Sequence, residues 1–369
     1  MNFNRVVIKV GSKLLTKEDF SLDIEFIEKL VAQIVKLHQE GKEVVLVSSG
    51  AVSAGRSLIN FTKESKNVPY KHILAAVGQG LLLSTYSDYF KKEGILVAQA
   101  LLTALDFQEK ENFLNMETVL NQLLEKKVIP IINGNDVTAF KGVMVDDNDL
   151  LSAKVAAMLQ ADLLVLCTDV DGVYDKNPYE NKDAKKFSVI EKIDAKIKKM
   201  MEGRYDKKLG TGGMSSKVSA AEYAVTSGVP VVVLGGEDIN KLTVLEKEIG
   251  KIGTFFKSKV SPTDGRKKWL KPQLVKNGTI IIDDGAKKAL QSKGGSLLAV
   301  GIKEVKGDFK RGEVVRITDI EDNKIGIGII NYSSKDLIKI KGHQVEEFTQ
   351  ILPEVWEDEV IHRDNLTVL

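Results

Sequence analysis

Residues Gly210-Thr211-Gly212-Gly213-Met214-Ser215-Ser216-Lys217 gather three glycines, three hydroxyls and one lysine just ahead of an Ala-rich helical run, Ser219 to Val225. Glycines let backbone N–H groups crowd an anion. The start of a helix adds the positive end of a dipole, and the lysine adds a full charge. The chemistry is a grip on phosphate, though not a P-loop, because Gly-x4-Gly-Lys-Ser/Thr is absent there. A second cluster, Lys9-Val10-Gly11-Ser12-Lys13, closes the first predicted strand. Alone, Lys9 reads as a strand-end lysine reaching solvent. Paired with Lys217, it predicts one nucleotide site closed from two sides by lysine-bearing loops.

Three more clusters could serve such a site. Ser48 to Ser57 follows the second predicted strand and contains Gly50-x4-Gly55-Arg56-Ser57, a P-loop spacing with Arg in place of Lys. A P-loop lysine normally follows a first strand, so an ATP cradle is rejected here. The small residues instead predict a helix start fit for a substrate carboxylate or phosphate, against the plainer reading of a tight turn. Asn133-Gly134-Asn135-Asp136-Val137 and Asp146-Asp147-Asn148-Asp149 bracket a short hairpin. Carboxamides and carboxylates after a buried strand can hold an α-ammonium group and orient nearby lysines. The plainer reading is a solvated turn, with Asp147 or Asn148 capping the next helix. The register of a calcium-binding EF-hand is missing. Cys167 to Tyr174 follows a strand that should be central, so Thr168 and Asp169 could face a nucleotide and Tyr174 and Pro178 its base. An ordinary Asp-Gly turn is the alternative. Cys167 reads as a core residue. His38, His72, His343 and His362 lack metal-ligand spacing, which argues against zinc or a histidine-dependent mechanism.

The elements that must position these residues alternate strand and helix up to about residue 256. Short β-branched runs predict buried parallel strands at Val6–Val10, Val44–Val47, Ile95–Ala98, Val128–Ile132, Leu163–Leu166 and Val229–Leu234. Helical spacing appears in Ile24–Gln39, Ile73–Phe90, Glu111–Glu125, Asp149–Gln160 and Ser215–Val225. This βαβ rhythm predicts an α/β fold, an open, mostly parallel sheet sandwiched by helices, with ligands at the carboxyl ends of its strands. The stretch 257–272 is basic, contains proline and reads as a linker. Beyond it, glycine-punctuated strands at Thr279–Ile282, Leu297–Val300, Glu313–Thr318 and Lys324–Ile330 predict a small, mostly β domain over 273–369.

The chain's 369 residues suffice for two cores. Net charge is +2, and the stretch from 257 onward carries 20 basic and 17 acidic side chains, so no electrostatic footprint for nucleic acid is visible. No apolar run is long enough to cross a bilayer. The first residues lead directly into a strand, which predicts no signal peptide. A single cysteine excludes an intramolecular disulfide and fits a reducing compartment such as the cytoplasm.

In this order and spacing the motifs resemble the amino acid kinase superfamily, most closely its glutamate 5-kinases. The marks are Ile8-Lys9-Val10-Gly11-Ser12, Ser48 through Gly55, Ala75-Ala76-Val77-Gly78-Gln79, Asn133-x-Asn135-Asp136, Asp147-Asn148-Asp149-x-Leu151-Ser152-Ala153, Thr168-Asp169-x-x-Gly172-Val173-Tyr174 and Thr211–Lys217. The C-terminal part resembles a PUA domain, a β-fold found in RNA-modifying enzymes. It is carried by Gly278-x4-Asp283-x-Gly285-Ala286, Ser296-Leu297-Leu298-x-x-Gly301-Ile302, Gly307-x-Phe309-x-x-Gly312-Glu313-Val314 and Tyr332. The resemblance implies ATP-dependent phosphorylation of the L-glutamate γ-carboxylate to L-glutamyl 5-phosphate, the first step of proline biosynthesis, with Mg²⁺.

The resemblance also implies roles. Lys9 and Lys217 lie at the phosphates, and Asp149 orients them. Gly11, Thr168, Asp169, Thr211, Gly212, Gly213, Met214, Ser215 and Ser216 join the two lysines in binding ATP. Ser49, Gly50, Ala51, Asn133, Asp136 and Asn148 hold glutamate. Further implications are a homodimer or homotetramer, feedback by L-proline, and delivery of the product to a glutamyl phosphate reductase. Gly134 stands where the family usually has Glu, and Asp146 where it usually has Gly. The hairpin between them also departs, so the sequence differs where substrate and inhibitor sites are shaped. Rival readings are a kinase of the same fold acting on another small acid or phosphate, and an RNA-binding or regulatory protein working through the second domain.

Overall fold

A computed structural model describes residues 2–59, 68–138, 147–178, 180–201, 213–260 and 278–368. Contacts divide the chain into two compact units, Met1–Asp106 with Glu117–Pro262, and Phe107–Met116 with Thr263–Leu369.

The first unit is built on an eight-stranded sheet. Its strands are β1 (Arg5–Val10), β2 (Glu43–Ser48), β3 (Val97–Leu102), β4 (Ile129–Gly134), β5 (Leu163–Thr168), β6 (Val189–Ile190), β7 (Val231–Gly235) and β8 (Thr254–Phe256), in the order β3-β4-β2-β1-β5-β7-β8-β6. Every pairing is parallel except β7 with β8. The central strands are buried on both faces, which is why they read as continuous apolar runs.

Alternation along β1 sorts the faces. Val6, Ile8 and Val10 share a core with Ile27, Leu30 and Ile34 of α2 (Ile24–Gln39) and with Leu82, Tyr86 and Phe90 of α4 (Val68–Lys92). Lys9, one residue out of phase, belongs to the opposite face. That face is covered by α6 (Asn148–Met158) and α8 (Met214–Thr226), which also pack on each other. Cys167 lies in the first core, fully buried, and burial pushes its thiol up to about 12.

The remaining helices are α1 (Ser12–Leu15), α3 (Ala51–Leu58), α5 (Lys110–Glu125, of which 117–125 belong to this unit), α7 (Ala195–Met201) and α9 (Leu245–Glu248). Strand β3 begins two residues later than expected and runs to Leu102. It is the sheet edge, half-buried and Ala-containing, so its sequence lacks the β-branched run that marks the interior strands. At Gly55 and Gly78, α3 and α4 meet backbone to backbone. A Cβ on Gly55 would lie 2.0 Å from the Leu74 carbonyl oxygen, and one on Gly78 would lie 1.9 Å from that of Ala51. The glycine at the far end of the Gly50-x4-Gly55 spacing is therefore a helix-packing residue.

The second unit carries a five-stranded sheet, β10-β9-β11-β12-β13, made of β9 (Thr279–Ile282), β10 (Ile302–Lys306), β11 (Val314–Thr318), β12 (Lys324–Ile329) and β13 (Leu366–Val368). Its core joins Ile280, Ile282, Ile317 and Ile325 to Leu290 of the helix Asp284–Lys293 and Leu337 of the helix Ser334–Ile340. The strand expected at Leu297–Val300 is absent. Leu297 makes one bridge to Ile361, and Ala299–Gly301 forms a 3-10 turn. Leu297 and Ala299 are buried while Leu298 and Val300 are exposed. The turn thus reproduces the alternation by which a strand is read from sequence.

Candidate active site

The parallel strands deliver their carboxyl ends to one edge of the first sheet. There the Gly11 N–H donates to the Cys167 carbonyl at 3.2 Å, and the Ser49 N–H donates to that of Val10 at 3.1 Å. These bonds tie the segments after β1, β2 and β5 into one rim, the position where open α/β sheets bind ligands.

Asp149 stands at the centre of this rim. The Asp147 side chain caps α6 by accepting the Asp149 N–H at 3.0 Å, so Asp149 sits in the first turn, fully buried. One of its carboxylate oxygens lies 2.5 Å from Lys9 Nζ. The other lies 3.1 Å from Lys217 Nζ and accepts a hydrogen bond from Ser216 Oγ at 3.1 Å. Lys9 arrives from β1, Lys217 from the first turn of α8, and both side chains are buried. Burial alone would raise the Asp149 carboxyl. The two ammonium groups outweigh it and hold the group below the usual carboxylate range. Asp147 responds the other way, raised by burial and then by the charge of Asp149.

Two helix starts open nearby without side-chain caps. Gly213 is the N-cap of α8, ahead of Met214, Ser215 and Ser216. Gly50 is the N-cap of α3, ahead of Ala51, and its φ of +99° is a left-handed conformation suited to glycine. Uncapped first-turn N–H groups are donors for an anion.

Next to Asp149 along α6, Asn148 starts a carboxamide cluster. Its Nδ2 donates to Ser49 Oγ at 2.9 Å, to Asn133 Oδ1 at 2.9 Å and to the Ser48 carbonyl at 3.2 Å. Asn133, at the end of β4, is buried. A Cβ on Gly134 would lie 3.7 Å from Asn148 Oδ1, so this glycine borders the same spot. Asp136 follows in the turn, and burial raises its carboxyl against the opposing influence of His72.

After β5, Thr168 Oγ1 donates to Asp169 at 3.0 Å. Asp169 also pairs with Lys13 at 2.8 Å, and this pairing outweighs burial to keep its carboxyl low. The Tyr174 hydroxyl donates to Asp171.

The structure thus brings Lys9, Asp149, Ser216 and Lys217 into one cluster and Ser49, Asn133 and Asn148 into another, joined through consecutive residues of α6. Gly210, Thr211 and Gly212, Asp146 and most of the 137–145 hairpin lie outside the described residues. Two contributors carry no role in the sequence reading, although both fall in quoted motifs. Lys13 ends the Lys9–Lys13 cluster and pairs with Asp169. Gln79 ends the Ala75–Gln79 motif, and from the middle of α4 it accepts from Asn133 Nδ2 at 2.8 Å.

Residues 4–235 match the amino acid kinase family, and residues 278–352 match the PUA domain. The chain is 43% identical over 365 residues to a glutamate 5-kinase of Caldanaerobacter subterraneus subsp. tengcongensis, covering 99% of this chain and 98% of that one. It is 42% identical to a glutamate 5-kinase of Dictyoglomus turgidum over 370 residues, and 40% identical to one of Thermus thermophilus over 369. Both alignments cover 100% of this chain and 98% of the relative.

Proposed function

Because the chain belongs to the amino acid kinase family, and within it to the glutamate 5-kinases, we propose that it transfers the γ-phosphoryl group of ATP to the γ-carboxylate of L-glutamate, giving L-glutamyl 5-phosphate. The observation that carries this reading is the convergence of Lys9 and Lys217 on the buried Asp149 carboxylate, beside the Asn148 cluster.

The chemistry fits the residues. A glutamate γ-carboxylate has an ordinary pKa of about 4.3, so it is already a nucleophile at neutral pH and needs no general base. The difficulty is bringing an anion onto an anionic triphosphate and stabilising a loose, in-line transition state. Positioning and fixed positive charge meet it. Lys9 and Lys217 neutralise phosphoryl oxygens, and Asp149 keeps two like charges together in a buried site without ATP. The start of α8, Gly213 to Ser216 with Thr211 and Gly212, receives the phosphates alongside Gly11. Thr168 and Asp169 contact the nucleotide. Ser49, Gly50, Ala51, Asn133, Asp136 and Asn148 hold glutamate, with carboxamide and carboxylate oxygens available to its ammonium and helix-start N–H groups to its carboxylates.

Magnesium fits this arrangement as a companion of the phosphates. Asp147 Oδ2 is buried with no hydrogen-bond partner among the described residues, a hard oxygen of the kind Mg²⁺ accepts directly or through water. Bound Mg²⁺ would neutralise charge on the triphosphate.

An acyl phosphate is labile, so the product calls for prompt reduction. By family likeness the pathway is proline biosynthesis, in the cytoplasm, with a reductase consuming the product, L-proline as inhibitor and a homo-oligomeric enzyme. Among the described residues no helix is long and apolar enough to cross a membrane. The test is an ATP-dependent hydroxamate assay. Hydroxylamine should trap an acyl phosphate from L-glutamate, and L-proline should reduce the yield. ATP consumption with another small acid but no hydroxamate from glutamate would overturn the assignment.

A further inference from the structure

Gln79 makes no hydrogen bond to Ser49, Asn148 or the lysine pair among the described residues, yet it holds one end of the carboxamide cluster. We infer that Gln79 is a positioning residue that sets which way Asn133 and Asn148 point, so that Asn148 presents an acceptor oxygen to the substrate's ammonium group.

A carboxamide has a donor end and an acceptor end, and only a network of partners decides which faces where. Gln79 Oε1 accepts from Asn133 Nδ2 at 2.8 Å. That contact commits the donor end of Asn133 to α4 and turns its Oδ1 the other way. There Oδ1 accepts from the Gly134 N–H at 2.8 Å and from Asn148 Nδ2 at 2.9 Å. The Gly134 N–H can only donate, so the two orientations agree. Asn148 Nδ2 is thereby spent on Asn133, Ser49 and the Ser48 carbonyl. Its Oδ1 accepts no hydrogen bond among the described residues and borders Gly134. An unspent acceptor oxygen next to a buried carboxylate–lysine centre suits a cationic donor, and an ammonium has three N–H groups to offer.

The arrangement is anchored on the far side as well. Gln79 directly follows Gly78, where α4 touches α3 backbone to backbone. The carboxamide of Gln79 therefore projects from a point where its helix is packed backbone to backbone. Asn133 is buried, so without Gln79 its Nδ2 loses its protein partner, and the cost of an orphaned buried donor weakens the hold on the group's orientation, which then rests on the Gly134 N–H and Asn148 Nδ2 alone.

The inference rests on the glutamate-kinase reading, and the experiment separates the two. Gln79→Met keeps the length of the side chain and removes the acceptor, whereas Gln79→Glu keeps an acceptor. KM for L-glutamate should rise about tenfold in Gln79→Met, the size expected for one unsatisfied buried group, with kcat and the KM for ATP changed less than about twofold. Gln79→Glu should recover most of the loss. Glutarate, the same diacid without the ammonium, should inhibit wild type and Gln79→Met with constants within about twofold of each other, because only the ammonium contact is disturbed. Loss of packing alone would weaken glutarate and glutamate together and would not be rescued by Glu. That result, or an unchanged KM in Gln79→Met, overturns the role of Gln79. So would an unchanged KM in Asn148→Ala, since Gln79 acts through Asn148. Absence of glutamyl hydroxamate from the wild-type protein would instead sink the function itself.

Discussion

Three buried charges, two positive and one negative, leave a net positive centre toward an arriving triphosphate. Lys217 is the cation whose backbone also belongs to a helix start, so it combines point charge with position. Lys217→Met should lower kcat by about 10²-fold, the scale of losing one preorganised charge donor. Unchanged turnover would remove Lys217 from the phosphate site. The same variant reports on stability. Asp149 is depressed in the folded state, so its contribution is fully present above the unfolded carboxylate pKa and is lost as pH falls through the lower folded value. Removing Lys217 lets the Asp149 pKa rise. The stability gap between wild type and Lys217→Met should therefore hold steady from neutral pH to about pH 4 to 5 and close below that range. Denaturant unfolding across pH measures the gap, and a gap that widens on acidification would show that Asp149 is not held ionised by this lysine.

At the scale of elements, the site depends on helices pinned against strand ends. The α3–α4 contact is the clearest case, because a Cβ on Gly78 would lie 1.9 Å from the Ala51 carbonyl oxygen and 2.3 Å from the Gly55 nitrogen. Both atoms are backbone and cannot swing aside. Gly78→Ala should cost at least about 1–3 kcal/mol, as overpacking does, and should displace Gln79 from Asn133. Calorimetry reads the first effect and the glutamate KM the second. A variant with wild-type melting would mean that the helices separate freely. This contact also marks where sequence reading runs out. Gly78 and Gln79 are visible as letters, but their work depends on which helix crosses which, and spacing within one segment carries no such information. Lys9 and Lys217 were legible for the opposite reason. Lys217 sits in a glycine-rich helix start whose local pattern already marks a phosphate grip, and Lys9, ambiguous by itself at a strand end, became readable only once paired with Lys217. The long amphipathic helix Ile24–Gln39 and the buried strands were readable through periodicity. The bounds of the edge strand β3 and the turn at Ala299–Gly301 were not, because half-burial blurs a strand's ends and accidental alternation imitates a strand.

At the scale of the whole molecule, two separate stretches of chain supply two cores, and only the first unit contains the lysine–aspartate centre. The second unit bears the PUA match, so nucleic acid is the natural alternative partner to weigh against its charge. A backbone-binding surface needs unpaired cations in a stripe. Among the described residues of this unit, four lysines have an acid close at hand: Lys287 with Asp319 at 2.6 Å, Lys339 with Asp336 at 3.5 Å, Lys306 with Glu304 at 3.6 Å and Lys303 with Asp283 at 3.8 Å. The chain as a whole carries +2. Each phosphate contact adds about 0.9 to the slope of log affinity against log salt on a duplex and about 0.7 on a single strand, and few net contacts are available here. A gel shift with an RNA stem-loop should therefore be weak at low salt and gone by about 150 mM, with a shallow slope. A complex that survives that salt would require recognition by shape and base stacking rather than by charge, and the second unit would then have to be read as an RNA-binding module.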